Sequence, residues 1–300
     1  MLCISAALAA ALTARRPDGQ VVGDLRLHEM HSTVFGNTRV LRVLAPPGYD
    51  APENAGRSYP VLFLNDGQNL FDATATMSAD LEWRVDETVD SLERLGRIPP
   101  LIVVGVDNAG RRGRFREYFP WPDRFLQPPE PDPQGRLYPA FLVDEVLPYI
   151  RARYRIRDDA DGRGIGGSSA GALAALYTVV ARPGVFGRLL IESPSLYVDD
   201  YHILHKAEPL TRWPRRVYLG VGTNELNAPT CDPGQVGRSD LEQDVARLDS
   251  LLRRPGAGAP LVFRRVTDCG RHDEQAWAAR LPDALAFLFG TAEGPAPAAH

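Results

Sequence analysis

Ser169 is the residue whose neighbours in the chain most clearly predict chemistry. It is the centre of Gly167-Ser168-Ser169-Ala170-Gly171, which fits the pattern G-x-S-x-G. In that pattern a sharp strand-to-helix turn holds a serine hydroxyl clear of the backbone, and the flanking glycines leave room where a Cβ would collide. Ser168 does not fit, because Ala170 would then take the last glycine position. We therefore predict that Ser169 is a nucleophile.

A serine hydroxyl attacks efficiently only when a base takes its proton and an acid orients that base. On a turn of this kind the three groups follow the order serine, acid, histidine along the chain. Glu225 comes after the strand-like run Arg216 to Val221, and His272 comes after the strand-like run Pro260 to Val266. We predict Glu225 as the acid and His272 as the base.

Explanations without a catalytic role remain open for each of these three residues. Because the chain has 27 glycines, G-x-S-x-G could be a plain turn between a strand and a helix. Glu225 could be an exposed loop acid, with Asp232 as the nearest substitute, and His272 could merely flank a helix. The other five histidines do not closely follow the last strand: they lie in an N-terminal hairpin (His28, His31), a mid-chain loop (His202, His205) and the tail (His300).

The transition state of such an attack carries negative charge on an oxygen, which backbone N–H groups can stabilise. We predict two donors, the N–H of Ala170 at the start of the helix and the N–H of Gln68. Gln68 belongs to the loop that follows the apolar run Val61 to Leu64. Ligands bind at such strand ends in parallel sheets, so Asp66 in the same loop is a candidate substrate-binding residue.

The segment Asp107 to Arg136 is crowded with arginine, aromatic residues and proline, and we predict a long irregular lid beside Ser169. A solvated surface loop is the alternative. In the lid hypothesis Arg112 attracts an acidic or catecholic substrate, while Trp121 or Tyr118 offers an aromatic face for stacking.

Apolar periodicity predicts a mainly parallel sheet with crossover helices and an antiparallel hairpin at the start, in one domain over residues 24–290. The predicted strands are Asp24 to Met30, Thr38 to Ala45, Val61 to Leu64, Leu101 to Val106, Arg163 to Gly167, Arg188 to Glu192, Arg216 to Val221 and Pro260 to Val266. The predicted helices are Asp80 to Leu95, Leu137 to Tyr154 with a kink at Pro148, Ala170 to Ala181, Ser239 to Arg253 and Asp273 to Phe289.

Composition narrows the class of protein. The chain has 300 residues, 44% of them apolar, and a net charge of -4, which gives no general attraction to nucleic acid or anionic membranes. No pattern of cysteine and histidine predicts a metal, and no glycine loop predicts a nucleotide, so we expect no cofactor. Residues 1–23 contain a short signal-like apolar run, residues 291–300 are predicted to be a disordered tail, and a cytoplasmic location is favoured over export.

Several motifs together resemble a known family, the esterases of the α/β-hydrolase fold that include enterochelin-type siderophore esterases and feruloyl and acetyl xylan esterases. The motifs cover most of the chain from Asp24 to Phe289: YPVLFLNDGQNLFD from Tyr59, REYFPW from Arg116, GIGGSSAG from Gly164, ESPS from Glu192, VGTNE from Val221 and GRHDEQAW from Gly270. The resemblance implies an α/β-hydrolase fold, a small-molecule ester as substrate, and the same three residues Ser169, Glu225 and His272. At the turn itself, Ala170 and Ala172 differ from the bulkier residue and the glycine that relatives often carry.

The expected reaction is hydrolysis of a carboxylic ester through an acyl-enzyme on Ser169. Transfer of the acyl group to an alcohol, and a catalytically inactive binding module of the same fold, remain alternatives. Cys231 and Cys269 lie close in the chain to Glu225 and His272, so a disulfide could join the two loops, which would favour export. The sequence leaves the oligomeric state open.

Overall fold

The computed structural model describes residues 21–76, 81–124, 126–228, 230–231, 239–254 and 258–290. The signal-like run, the predicted tail 291–300 and the substitute acid Asp232 lie outside these residues. Among the described residues, no helix combines the length and the apolar character needed to cross a membrane.

The described strands form one mixed sheet. In chain order they are β1 (Asp24–Ser32), β2 (Asn37–Ala45), β3 (Val61–Asn65), β4 (Ile102–Val106), β5 (Arg163–Ser168), β6 (Arg188–Glu192), β7 (Arg216–Asn224) and β8 (Leu261–Arg271). Their spatial order is β1-β2-β4-β3-β5-β6-β7-β8. The pairs β1/β2 and β2/β4 are antiparallel and the other neighbours are parallel, which confirms the predicted α/β architecture with its antiparallel start.

Helices cover both faces of this sheet. The longer ones are α1 (Val85–Arg94), α2 (Gly110–Tyr118), α5 (Ser169–Ala181), α7 (Asp240–Leu252) and α8 (Glu274–Phe289), and the short ones are α3 (Tyr138–Ala140), α4 (Leu147–Arg151) and α6 (His202–Ala207). Leucines and valines of α1 and α8 pack on one face, and those of α5 and α7 pack on the other. Because both faces are covered, β3 and β4 are buried along their whole length, as their unbroken apolar runs predict.

Two predictions about local structure are wrong. The segment Asp107 to Arg136 is not irregular throughout, because it contains α2, whose side chains Glu117 and Tyr118 are buried. Arginine-rich composition concealed this helix, since its apolar face is only a few residues wide. His202 and His205 belong to the helix α6 and not to a loop.

The predicted helix Leu137 to Tyr154 is divided. α3 continues through a π-helical stretch, Phe141–Val146, into α4. Pro148 stands in the first turn of α4. Proline lacks an N–H and cannot make the regular helical bond, which accounts for a change of winding before it.

A buried ion pair ties α8 to the sheet. Arg280 of α8 donates through Nε (2.9 Å) and Nη2 (2.7 Å) to Oε2 of Glu192 at the end of β6, and both side chains are at most 2% exposed. Burial raises the pKa of Glu192 to about 7 in spite of the guanidinium. Gly220 of β7 lies against this carboxylate, and a Cβ built there would overlap the carboxylate atoms.

We expect Gly220→Ala to destabilise the protein by about 1–3 kcal/mol, because a fully buried ion pair cannot move aside for the added methyl group. Urea unfolding at equilibrium measures the difference from the wild type. Gly56→Ala is the matched control, since a Cβ at Gly56 has no neighbour within 4 Å. Equal losses of stability in the two variants would contradict the packing argument.

Candidate active site

Ser169 lies where β5 turns into α5, and it is the first residue of that helix. Its φ of 55° is left-handed, which is uncommon for a residue with a Cβ. The close approach of the chain to itself explains the glycines: a Cβ on Gly167 would lie 2.8 Å from the carbonyl carbon of Gly171. Ser169 stays partly exposed whereas Ser168 is buried. The chain therefore forms the predicted strand-to-helix turn, and Ser169 is its accessible serine.

Glu225 and His272 meet at the ends of two neighbouring strands. In the parallel pair β7/β8, Asn224 lies opposite Arg271, and each is followed directly by one of the two residues. The distance between His272 Nδ1 and Glu225 Oε2 is 2.7 Å. The Glu225 side chain is fully buried and that of His272 is 25% exposed.

The second carboxylate oxygen of Glu225 is also hydrogen bonded. Oε1 accepts from the Ser193 hydroxyl at 2.7 Å and from the Gly222 N–H at 2.5 Å. Ser193 in turn accepts a hydrogen bond from Trp277 Nε1 at 3.0 Å. A buried carboxylate is stable as an anion only when such donors replace water, so these groups keep Glu225 in one orientation.

Ser169 and His272 line one cavity of about 260 Å³, whose other lining residues are Asp66, Asn69, Arg111, Arg114, Phe115, Ser168, Glu274 and Trp277. Among the described residues, the Ser169 hydroxyl makes a hydrogen-bonding contact with the Ser195 hydroxyl, with 3.5 Å between the two oxygens. His272 is thus held by Glu225 beside the serine, without a direct hydrogen bond to it in this arrangement. Such contacts often tighten only when substrate binds.

A second cavity, of about 440 Å³, also has Ser169 and His272 in its wall. Its remaining lining residues are Arg124, Ser195, Tyr197, Asp200, Tyr201, Glu225, Leu226, Asp240, Leu241 and Asp244. Open space therefore adjoins the serine and the histidine in two directions.

The loop after β3 is built around Asp66, which has a left-handed φ of 59°. Its carboxylate accepts two hydrogen bonds from Arg114 (2.8 and 2.7 Å) and one from Asn108 Nδ2 (2.6 Å). Burial disfavours the charged form of Arg114, but the Asp66 carboxylate outweighs this and raises the pKa of Arg114. Asp66, predicted to bind substrate, lines the cavity, yet its carboxylate already accepts these three hydrogen bonds.

Ala170 and Gln68, the predicted donors to the reacting oxygen, are both buried. Ala170 is the second residue of α5, and Gln68 lies in the single turn Gly67–Asn69 that follows β3. The Gln68 side chain accepts a hydrogen bond from the Asn108 N–H at 3.1 Å, which fixes this turn against the next loop. β3 and β5 are neighbours in the sheet, so both residues come from adjacent strand ends.

Three aromatic or basic residues predicted to bind substrate do not line the 260 Å³ cavity. Arg112 is exposed on α2. Trp121 is buried and stacks on His202, with ring centroids 4.2 Å apart. Tyr118 is buried and its hydroxyl accepts the Asp66 N–H at 3.1 Å. The helical winding of α2 explains the difference for Arg112 and Tyr118, because it turns Arg111, Arg114 and Phe115 toward the cavity instead, whereas Trp121 lies beyond the end of this helix.

Sequence reasoning missed Ser193, Trp277 and Asn227. Ser193 and Trp277 are part of the motifs ESPS and GRHDEQAW, but a motif does not tell which member faces Glu225. Asn227 Oδ1 accepts the backbone N–H of His272 at 3.1 Å. Its left-handed φ of 57° shows that the chain turns two residues after Glu225, and this backbone conformation could not be predicted from the sequence.

Comparison with known proteins identifies the family. Residues 32–288 match the model of the family described as "Putative esterase". The chain belongs to this family, and it is an esterase.

Individual relatives are distant. The chain is 24% identical over 257 residues to the uncharacterized protein YbbA of Bacillus subtilis, covering 85% of this chain and 94% of YbbA. It is 22% identical to the iron(III) enterobactin esterase of Dickeya dadantii, covering 80% of this chain and 50% of that protein. The crystal structure of the BES protein from Bacillus cereus superposes with a TM-score of 0.69 at 18% identity, covering 90% of this chain and 97% of that one.

We expect Ser193→Ala to lower kcat for ester hydrolysis about 10-fold while KM changes little, because Glu225 loses a charge-assisted hydrogen bond worth about 1.5–3 kcal/mol. Steady-state kinetics on an activated ester measures the effect. Ser250→Ala is the control, since the exposed Ser250 hydroxyl donates to Ala246 O within α7, away from the cavity. An unchanged kcat in folded Ser193→Ala would show that this bond does not orient the acid.

Proposed function

We propose that the protein is a serine carboxylic-ester hydrolase with the triad Ser169, His272 and Glu225. The observation that carries this proposal is the 2.7 Å hydrogen bond that His272 Nδ1 donates to the buried Glu225 carboxylate, because the His272 ring shares a cavity with the Ser169 hydroxyl. These are the three groups that activate a serine for attack on an ester.

In the proposed mechanism the Ser169 hydroxyl attacks the ester carbonyl while His272 takes its proton. Glu225 stabilises the resulting imidazolium and remains ionised. The proton then passes to the departing alcohol, and an acyl group stays on Ser169. Water gives its proton to the same histidine and attacks the acyl-enzyme, which releases the acid and restores the hydroxyl.

The oxyanion of each tetrahedral intermediate is proposed to accept hydrogen bonds from the N–H groups of Ala170 and Gln68. Ala170 lies at the N-terminus of α5, where the helix dipole also favours negative charge. The support for Gln68 is its position after β3, next to the strand that carries Ser169. Each donor contributes about 3 kcal/mol to the barrier reduction in related chemistry.

The two cavities support esters that carry a substantial group on each side of the carbonyl. Arg111 and Arg114 make the smaller cavity suited to an acidic or catecholate group, a class that includes iron(III) enterobactin, for which the Dickeya dadantii relative is named. Arg114 is already paired with Asp66, whereas Arg111 has no ion-pair partner among the described residues. We therefore assign the contact with substrate charge to Arg111.

Ser169→Ala is expected to lower kcat/KM for 4-nitrophenyl esters by at least about 10⁴-fold and to abolish covalent labelling by a fluorophosphonate. His272→Ala should cause a loss of similar size, because every proton transfer in the formation and the hydrolysis of the acyl-enzyme uses this residue. His205→Ala, on the exposed side of α6, is the histidine control. Labelling of folded Ser169→Ala at the wild-type rate would eliminate Ser169 as the nucleophile.

Arg111→Ala is expected to raise KM about 5-fold for an aryl ester bearing a carboxylate on its acyl group, and to leave KM for the neutral analogue unchanged. An ion pair at an exposed site is worth about 1 kcal/mol, which sets this magnitude. Arg112→Ala is the matched control, because Arg112 is the adjacent arginine outside the cavity. If Arg112→Ala raises this KM more than Arg111→Ala does, the contact with substrate charge belongs to Arg112, as the sequence analysis predicted.

A further inference from the structure

The predicted disulfide is present: Cys231 and Cys269 are bonded, with 5.7 Å between their Cα atoms. Cys269 lies within β8, three residues before His272, and Cys231 follows the turn that carries Glu225. The bond therefore joins the segment bearing the acid to the strand bearing the base.

Cys269 occupies an irregular part of the β7/β8 pairing. Gly222 lies opposite Thr267 and Asn224 opposite Arg271, so four residues of β8 are matched to two of β7. The extra residues form a bulge, and Cys269 within it has a left-handed φ of 56°. The position of this bulge decides which residue of β8 lies opposite the end of β7, and hence whether His272 reaches Glu225.

Packing alone holds this part of β8 weakly. β8 is the edge strand of the sheet, and most of its residues are exposed or half-buried, with only Gly270 fully buried. Edge strands with few buried side chains have little to fix their register.

Two hydrogen bonds supplement the disulfide. The Cys269 N–H donates to the Thr223 hydroxyl at 2.8 Å, and the His272 N–H donates to Asn227 Oδ1 at 3.1 Å. Both acceptors belong to the end of β7 and the turn after it, the segment that carries Glu225. The disulfide is the one covalent link in this set of contacts.

We propose that the Cys231–Cys269 bond is a positioning brace for His272, so that a dithiol which reduces it lowers ester turnover while the protein stays folded. This inference rests on the proposed function of His272 as the base. In the reduction, a thiolate of the dithiol attacks one sulfur to form a mixed disulfide, and its second thiol displaces the cysteine. The protein gains two electrons and two protons as two thiols, and the reductant leaves as its cyclic disulfide.

The test compares kcat and KM of the oxidised protein, the dithiothreitol-treated protein and Cys231→Ser/Cys269→Ser, all in a Cys3→Ser background. We expect kcat to fall about 10- to 100-fold on reduction, with KM within about 2-fold, because a shift of about 1 Å in a catalytic group has effects of this size. The double variant should have the kcat of the reduced protein, and dithiothreitol should not change it. Reoxidation of the reduced protein should restore kcat. Equal kcat in oxidised and reduced protein would overturn the proposal.

Circular dichroism and the thermal midpoint, measured on the same samples, separate positioning from folding. A purely stabilising bond would lower the midpoint without changing kcat well below it. If the reduced protein is unfolded at the assay temperature, Thr223→Val with the bond intact provides the test, since it removes the second support of Cys269. We expect kcat to stay within about 2-fold of the wild type, because the intact bond still holds Cys269, and a 10-fold loss would show that the hydrogen bond and not the disulfide positions His272.

Fluorophosphonate labelling of the oxidised wild type distinguishes failure of the proposed nucleophile from failure of the proposed brace. Absence of labelling would contradict the proposed nucleophile itself. Labelling at the same rate before and after reduction would leave the esterase mechanism in place and refute only the brace.

Discussion

The site depends on one buried carboxylate. Glu225 is fully enclosed, and a buried anion is tolerated only when hydrogen bonds replace the water it has lost. Its donors are Ser193 after β6, Gly222 within β7 and His272 after β8. The need to satisfy Glu225 therefore constrains the ends of three adjacent strands at once, and the orientation of the imidazole follows from that constraint.

The side chains that support Glu225 are themselves held by contacts with α8. Trp277 of α8 donates a hydrogen bond to Ser193. Arg280, about one helical turn further along α8, forms an ion pair with Glu192, the residue before Ser193. Because α8 begins only two residues after His272, the helix that follows the proposed base also supports the proposed acid. Under the proposed mechanism, the side chains that stabilise this region also support the triad, so substitutions here are expected to affect both stability and turnover.

The sequence predicted the framework of this arrangement well. Unbroken apolar runs marked the buried strands, and the known chain order of serine, acid and histidine selected Glu225 and His272, which the structure brings together. The position of Arg112 could not be predicted, because it depends on how α2 is rotated, and Trp121, three residues beyond α2, stacks on His202 of α6. That rotation is set by contacts far apart in the chain, such as Arg114 with Asp66, and no local periodicity encodes them. The triad roles and the two oxyanion donors remain predictions that kinetics must test.

Left-handed residues other than glycine recur at the same edge of the sheet, and this recurrence links the fold to the chemistry. Asp66 follows β3, Ser169 follows β5, Ser193 follows β6, and Cys269 lies near the end of β8, each with φ between 43° and 59°. Such conformations cost about 1–3 kcal/mol apiece and persist only where the surroundings enforce them. Three of the four have evident compensation: Asp66 binds Arg114, Ser193 binds Glu225, and Cys269 is covalently bonded. Among the described residues, the Ser169 hydroxyl makes only a 3.5 Å contact with the Ser195 hydroxyl, while the Ser169 carbonyl accepts the Ser195 N–H at 3.2 Å, so backbone contacts of the turn hold this residue. Under the proposed mechanism, the Ser169 hydroxyl therefore has no strong hydrogen bond to a described residue that must break before it attacks an ester.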